Sequence, residues 1–140
     1  MSKSDPQMDL VDRTLQEWRR SPHQYGVSDC VLSAAAFWGA EPEWAGTYWN
    51  ASEAMDLMAD LGGMYAVMES IGGRLVDGPP QRGDFVGLVG EEGYPIPTLC
   101  TGDTAVARLE RGTIEIPLRL LSWVCVWRGP DRKALQEGGE

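Results

Sequence analysis

The sequence predicts an α+β fold, with N-terminal helices packed on a C-terminal antiparallel sheet, and two observations carry that expectation. Up to Gly73 apolar side chains recur at three- and four-residue steps, whereas beyond it they fall in short β-rich runs broken by Gly and Pro. Helices first and strands second disfavour the alternating order of a parallel sheet. The chain has 140 residues, 43% hydrophobic and 24% charged, enough for one core and not for two. Residues 1–130 are expected to form a single domain and residues 131–140 a loosely attached tail.

The first helix is expected from Asp5 to Arg20, with Met8, Val11, Leu15 and Trp18 on one face. Asp5 can cap it and Pro6 suits its first turn, while Asp9 and Asp12 lie near its positive end and Arg19 and Arg20 near its negative end. Ser21 to Val27 reads as a loop because Pro22 and Gly26 break the period. A second helix follows from about Asp29 to Trp38, capped by Ser28 or Asp29, apolar nearly all round and ended by Gly39. Glu41 to Trp49 is an aromatic, Gly-containing loop. Asn50 and Glu53 then have capping-box spacing before Met55, Met58 and Leu61, and Gly62-Gly63 stops that third helix. Met64, Val67, Met68 and Ile71 give a short fourth helix before Gly72-Gly73. Strands are expected at Asp84 to Val89, Thr98 to Thr101, Thr104 to Leu109, Thr113 to Ile116 and Ser122 to Trp127.

Charge narrows the function. Twenty-one Asp plus Glu against twelve Lys plus Arg leave a net charge of -9, which argues against nucleic acid or anionic lipid as a partner. No apolar run reaches the ~20 residues needed to span a bilayer, and the opening residues have no apolar signal-peptide core, so synthesis in a cytoplasm is expected. Cys30, Cys100 and Cys125 show no Cys-x-x-Cys spacing, so neither a disulfide framework nor a zinc site is indicated, and no metal or cofactor is expected.

Asp29-Cys30 is the most chemically suggestive pair. A thiol at a helix N-terminus feels the positive end of the dipole and can lose its proton more easily, as a cysteine nucleophile requires. Equally, Asp29 can be a plain N-cap and Cys30 a small buried residue. Gly83-Asp84-Phe85-Val86 reads as a turn delivering the chain into a strand. The loop residues Trp44, Tyr48 and Trp49 can cap the core, dock on a protein partner or stack on sugar rings. Trp38, Trp123 and Trp127 are assigned to regular elements and core packing, and Met55, Met58, Met64 and Met68 to filling gaps in the core.

Taken together these pieces resemble the NlpC-type peptidoglycan peptidases of the papain-like cysteine peptidase superfamily. They are most similar to a degenerate branch encoded in phage tail and prophage gene clusters. The likeness runs through a Trp-containing first helix, then Tyr25-Gly26-Val27-Ser28-Asp29-Cys30, then Gly46-Thr47-Tyr48. It continues with the Gly83-Asp84 strand start and ends with Gly112 to Leu118 followed by Trp123 or Trp127. It spans roughly residues 10 to 128. The resemblance implies a papain-like NlpC-type fold with Cys30 as nucleophile, a His that shares its proton, and a polar group fixing the imidazole. In active relatives that His begins the strand after the Gly-Asp hairpin. Here Tyr94 to Gly102 holds none, and Val31-Leu32 stand where the relatives place small residues. The sole histidine, His23, lies seven positions before Cys30 on the preceding loop, where imidazoles are usually solvated.

Three functions follow. The first is a structural or assembly component of a phage tail tip or baseplate, a virion protein whose peptidase centre is incomplete. It would bind other tail proteins through Trp44, Tyr48 and Trp49, assisted by its acidic surface. The second is an active cysteine peptidase or amidase on peptidoglycan stem peptides, with Cys30 as nucleophile. The third is a non-catalytic binder of cell wall or glycan.

Overall fold

The computed structural model describes residues 9–21, 23–90 and 93–130. Helix α1 spans Leu10–Arg20 and buries Val11, Leu15 and Trp18. Asp9 is its N-cap, Oδ1 accepting from the Asp12 N–H at 3.0 Å. The expected start at Asp5 and Pro6 lies outside the described residues, as does the expected tail. Arg82 closes on this end of the helix, its guanidinium 2.9 Å from Asp9 and 3.0 Å from Asp12, and so ties α1 to the turn at residues 81–84.

Helix α2 (Cys30–Phe37) is capped by Asp29 and buries Leu32, Ser33, Ala34, Ala35 and Phe37, consistent with a central position. Helix α3 (Ala51–Asp60) is capped by Asn50, whose Oδ1 accepts from the Glu53 N–H at 2.8 Å. Glu53 reaches back to the Trp49 N–H at 2.7 Å, one residue earlier than a standard capping box. Helix α4 (Met64–Ser70) buries Met64, Val67 and Met68.

The strands are β1 (Arg74–Leu75), β2 (Phe85–Val89), β3 (Pro95–Cys100), β4 (Thr104–Leu109), β5 (Gly112–Pro117) and β6 (Cys125–Arg128). They form one antiparallel sheet in the order β1-β6-β2-β3-β4-β5. Phe85 of β2 meets Phe37 and Trp38 edge to face, with ring centroids at 5.6 and 5.2 Å, and thereby joins α2 to the sheet.

Two strand starts differ from expectation by three residues, and one strand has no expected counterpart. Strand β3 begins at Pro95 rather than Thr98, although prolines argue against a central strand. The Cys100 N–H donates to Asp84, so even-numbered residues of β3 face β2 with their backbone groups, and Pro95 and Pro97 lack N–H groups only on the β4 side. The Thr101 N–H donates to Thr104, which makes Leu99 and then residue 97 the ladder positions toward β4. Pro97 cannot donate there, and β3 pairs with β4 only at Leu99↔Val106 and Cys100↔Ala105. The last strand starts at Cys125, not Ser122, its pairing with β2 ending at Gly87↔Cys125. Trp123 is therefore half-buried outside any strand, contrary to its expected placement in one. Finally, β1 is too short for any periodicity to announce it.

Trp38 ends α2 as its C-cap and lies between Gly73 and Gly129. A Cβ at Gly73 would stand 2.6 Å from the indole and one at Gly129 would overlap it. Asp84, fully buried, accepts two bonds from Arg128 at 2.8 and 2.7 Å and a third from the Gln81 N–H at 2.8 Å. The Gly-Asp segment thus makes the local turn bond expected of it through the Gln81 N–H, and in addition anchors β6 through Arg128.

Candidate functional site

The Asp-Cys segment is held by one carboxylate. Asp29 is buried, and its Oδ1 accepts from the Leu32 N–H at 3.0 Å while Oδ2 accepts from the Gly26 N–H at 2.9 Å and from the Tyr48 phenol. Gly26 has φ +83°, and a Cβ there would lie 2.2 Å from the Tyr48 carbonyl oxygen. Its own carbonyl accepts from the Gly46 N–H at 2.7 Å. Glycine is required by both the positive φ and the close approach. The spacings Tyr-Gly-x-x-Asp-Cys and Gly-x-Tyr are therefore two halves of one interlocked unit that sets the start of α2.

Cys30 is the first residue of α2 and lines a cavity of about 900 Å³. Tyr25, Tyr94 and Ile96 also line it. With them, Arg108, Leu109 and Glu110 come from the part of β4 and its following turn that no longer pairs with β3. The Tyr25 phenol donates to Glu110 at 3.0 Å. Arg108 is buried, donating to Ser33 Oγ at 3.1 Å and to the Ser21 carbonyl at 3.0 Å, with its guanidinium 5.8 Å from the Trp18 ring centroid. It fastens β4 to the end of α1 and to α2.

The electrostatics run against nucleophilic chemistry. Burial, and secondarily the Asp29 charge, push the Cys30 thiol up to about 12, and the bonds from the α2 N-terminus do not offset them. The expected easing of deprotonation at the helix start is thus reversed, chiefly by burial and further because the cap that completes the helix is itself an anion beside the sulfur. Burial, then the bond to Glu110, raise Tyr25 to about 12. Burial, then the bond to Asp29, raise Tyr48 as well. At neutral pH the thiol and both phenols are protonated.

His23 also lines the cavity, stacked edge to face on Tyr25 at 4.8 Å, and among the described residues no hydrogen bond joins it to Cys30. Of the three loop aromatics, Tyr48 is 5% exposed with its hydroxyl committed to Asp29, so it is no surface anchor. Trp44 is half-buried in the cavity wall, and Trp49 alone is open, at 65% exposure.

Sequence reasoning missed the opposite wall. Met55, Met58 and Met64 line the cavity with Leu57 and Leu61, and no residue of α3 is buried. Met64 and Met68 do fill the core, and Met58 packs against it partly buried, with Ala54 and Leu57 of the same helix, whereas Met55 is half-buried on the cavity wall. The periodicity of α3 announced an apolar face and could not say what that face meets. Among the described residues no cluster of His, Cys, Asp and Glu is placed to hold a metal ion, and no helix is long and apolar enough to cross a membrane.

Residues 5–129 match the model of the family described as Domain of unknown function (DUF6950), and the chain belongs to that family. No curated protein and no solved structure matches it significantly.

Proposed function

We propose that this chain is a non-catalytic domain of NlpC-like, papain-like ancestry that works as an assembly component of a phage tail tip or baseplate, using the cavity beside Cys30 as a binding cleft. The carrying observation is what surrounds Cys30. Tyr94 and Ile96, at and just before the start of β3, line the cavity where the resemblance asks for an imidazole, and the thiol is held protonated. Acyl transfer needs a thiolate and a proton donor for the leaving amine, and neither a phenol that is itself raised nor the fully engaged Asp29 supplies them. The tail setting and virion location rest on the sequence resemblance over residues 10 to 128. Quantitative mass spectrometry of purified tails from a phage or prophage encoding this chain tests them: stoichiometric presence is expected, and absence from the particle would sink the assignment.

One observation favours the enzyme reading: Cys30 opens a helix and faces a cavity large enough for a peptide. Incubation with muropeptides distinguishes the two. No hydrolysis is expected, and turnover abolished by Cys30→Ala would establish a peptidase.

A further inference from the structure

The chemistry of the cavity lining selects an occupant. One wall is formed by α3 and the start of α4, where Met55, Met58 and Met64 offer flexible, polarizable surface that adapts to varied apolar shapes. Apolar surface continues out to the mouth, with Leu61 36%, Leu109 36% and Ile114 48% exposed. At about 900 Å³ the space falls within the range of small-molecule sites, about 300–1,000 Å³.

Most polar groups of the lining are already engaged. Asp29 accepts from the Leu32 and Gly26 N–H groups and from the Tyr48 phenol, and Glu110 accepts from the Tyr25 phenol. Arg108 donates to Ser33 Oγ and to the Ser21 carbonyl. A peptide guest brings an N–H and a C=O at nearly every residue, and each one buried without a partner costs about 1–3 kcal/mol. This lining answers few of them, whereas an alkyl chain asks for none.

The charge of the lining sets the head group. In a chain of net charge -9 the cavity is not acidic: Arg108 and Arg111 match Asp29 and Glu110, and His23 adds a further cation when protonated. Among the described residues, no hydrogen bond or ion pair holds the side chains of Arg111 and His23. The two share one rim, because His23 stacks on Tyr25 at 4.8 Å and the Tyr25 phenol bonds Glu110, the residue before Arg111. The charged groups left to meet a ligand are therefore a guanidinium and an imidazole at one edge of an apolar space.

We infer that the cavity binds a small amphiphile with an anionic head, a long-chain carboxylate, its alkyl chain lying among Met55, Met58 and Leu61 and its head held at the rim by Arg111 and His23. This names the ligand class of the binding cleft proposed above and rests on that reading.

Dodecanoate is the probe, added below the concentration at which it forms micelles, to protein with isotopically labelled methionine methyl groups. Dodecanol and dodecyltrimethylammonium are the controls, since they keep the chain and change the head. Saturable one-to-one binding is expected, shifting the methyl resonances of Met55, Met58 and Met64 and not that of Met68, which is buried outside the lining. Dodecanoate should bind at least ~10-fold tighter than either control, whereas dodecanol, with the less polar head, leads if apolar burial alone decides. Arg111→Gln should weaken dodecanoate ~5-fold at low salt and leave dodecanol unchanged. Arg111 is exposed in the turn between β4 and β5, so the variant keeps the fold, which the thermal midpoint verifies. Equal or tighter binding of either control, methyl shifts at Met68 as large as those of the lining, or dodecanoate binding indifferent to Arg111→Gln overturns the inference. A protein that binds no dodecanoate yet also leaves muropeptides intact overturns only the anionic amphiphile, whereas Cys30-dependent hydrolysis overturns the non-catalytic domain itself.

Discussion

Asp29 and Tyr48 provide the sharpest test of how the Asp-Cys segment is built. Tyr48→Phe removes one hydroxyl, buried and donated to a carboxylate, while keeping the ring that packs in the core. A hydrogen bond to a charged partner is worth about 1.5–3 kcal/mol, so the variant should lose about that much stability. Asp29→Ala removes the cap of α2, about 1 kcal/mol, and leaves the Gly26 N–H and the Tyr48 phenol buried without their acceptor, at about 1–3 kcal/mol each. A loss near 5 kcal/mol is expected. The double variant should be hardly worse than Asp29→Ala, because the phenol bond can be lost only once, giving a coupling energy of about 1.5–3 kcal/mol. Urea unfolding at pH 7 followed by tryptophan fluorescence measures all three, with Trp49→Ala as a surface control expected within about 0.5 kcal/mol. Additive losses, or a Tyr48→Phe variant as stable as the parent, would refute the interlocked unit and return Tyr48 to the surface.

Gly26→Ala should be among the most damaging single-methyl changes in the chain: the positive φ alone costs about 1–2 kcal/mol, and the new Cβ strikes the Tyr48 carbonyl, so a drop in urea midpoint equivalent to at least about 3 kcal/mol is expected. Cys30 should react with iodoacetamide at pH 7.5 far more slowly than free cysteine, since its thiol is pushed up to about 12. In the unfolded chain that thiol ionises from about pH 9 while the native one keeps its proton. Stability from this group is therefore complete below pH 9 and falls by up to about 1.4 kcal/mol per pH unit between about 9 and about 12, and Cys30→Ala should flatten that part of the profile. Arg128→Ala strands the buried Asp84 carboxylate and should cost about 3 kcal/mol in thermal or urea unfolding, with Arg128→Lys recovering only part because one of the two bonds cannot be remade.

The order of helices and strands was legible because each depends on local patterning that tertiary contacts reinforce. Val11, Leu15 and Trp18 are buried as their spacing required, and Asn50, Asp29 and Gly39 mark the helix ends assigned to them. The departures arise where the deciding partner is distant in sequence. Pro95 and Pro97 are admissible in a strand only because β4 leaves them, which is a property of the sheet and not of the segment. Met55 shares the helical period of Met58, which packs against the core, and periodicity is blind to which of the two is left on a cavity wall. Tyr48 could not be distinguished from Trp44 and Trp49 by type; its phenol finds Asp29 nineteen positions away, through a turn that Gly26 and Gly46 make possible.

Burial of the thiol and, beside it, the same carboxylate explain why the most suggestive pair in the sequence is not by itself a sign of reactivity. The residue that caps α2 is a carboxylate, and it lies beside the residue 30 sulfur, where it adds to burial in disfavouring a thiolate. A cysteine peptidase with this arrangement depends on an imidazolium to neutralise the thiolate, so the nucleophile is made by its partner and not by the helix start. Without that partner, Asp29 remains indispensable to Gly26, Leu32 and Tyr48, and Cys30 becomes a small, protonated side chain on the wall of a large apolar cleft. An Asp-Cys pair at a helix start therefore reports the architecture of the loop that delivers it, and the groups that surround the thiol decide whether it can ionise.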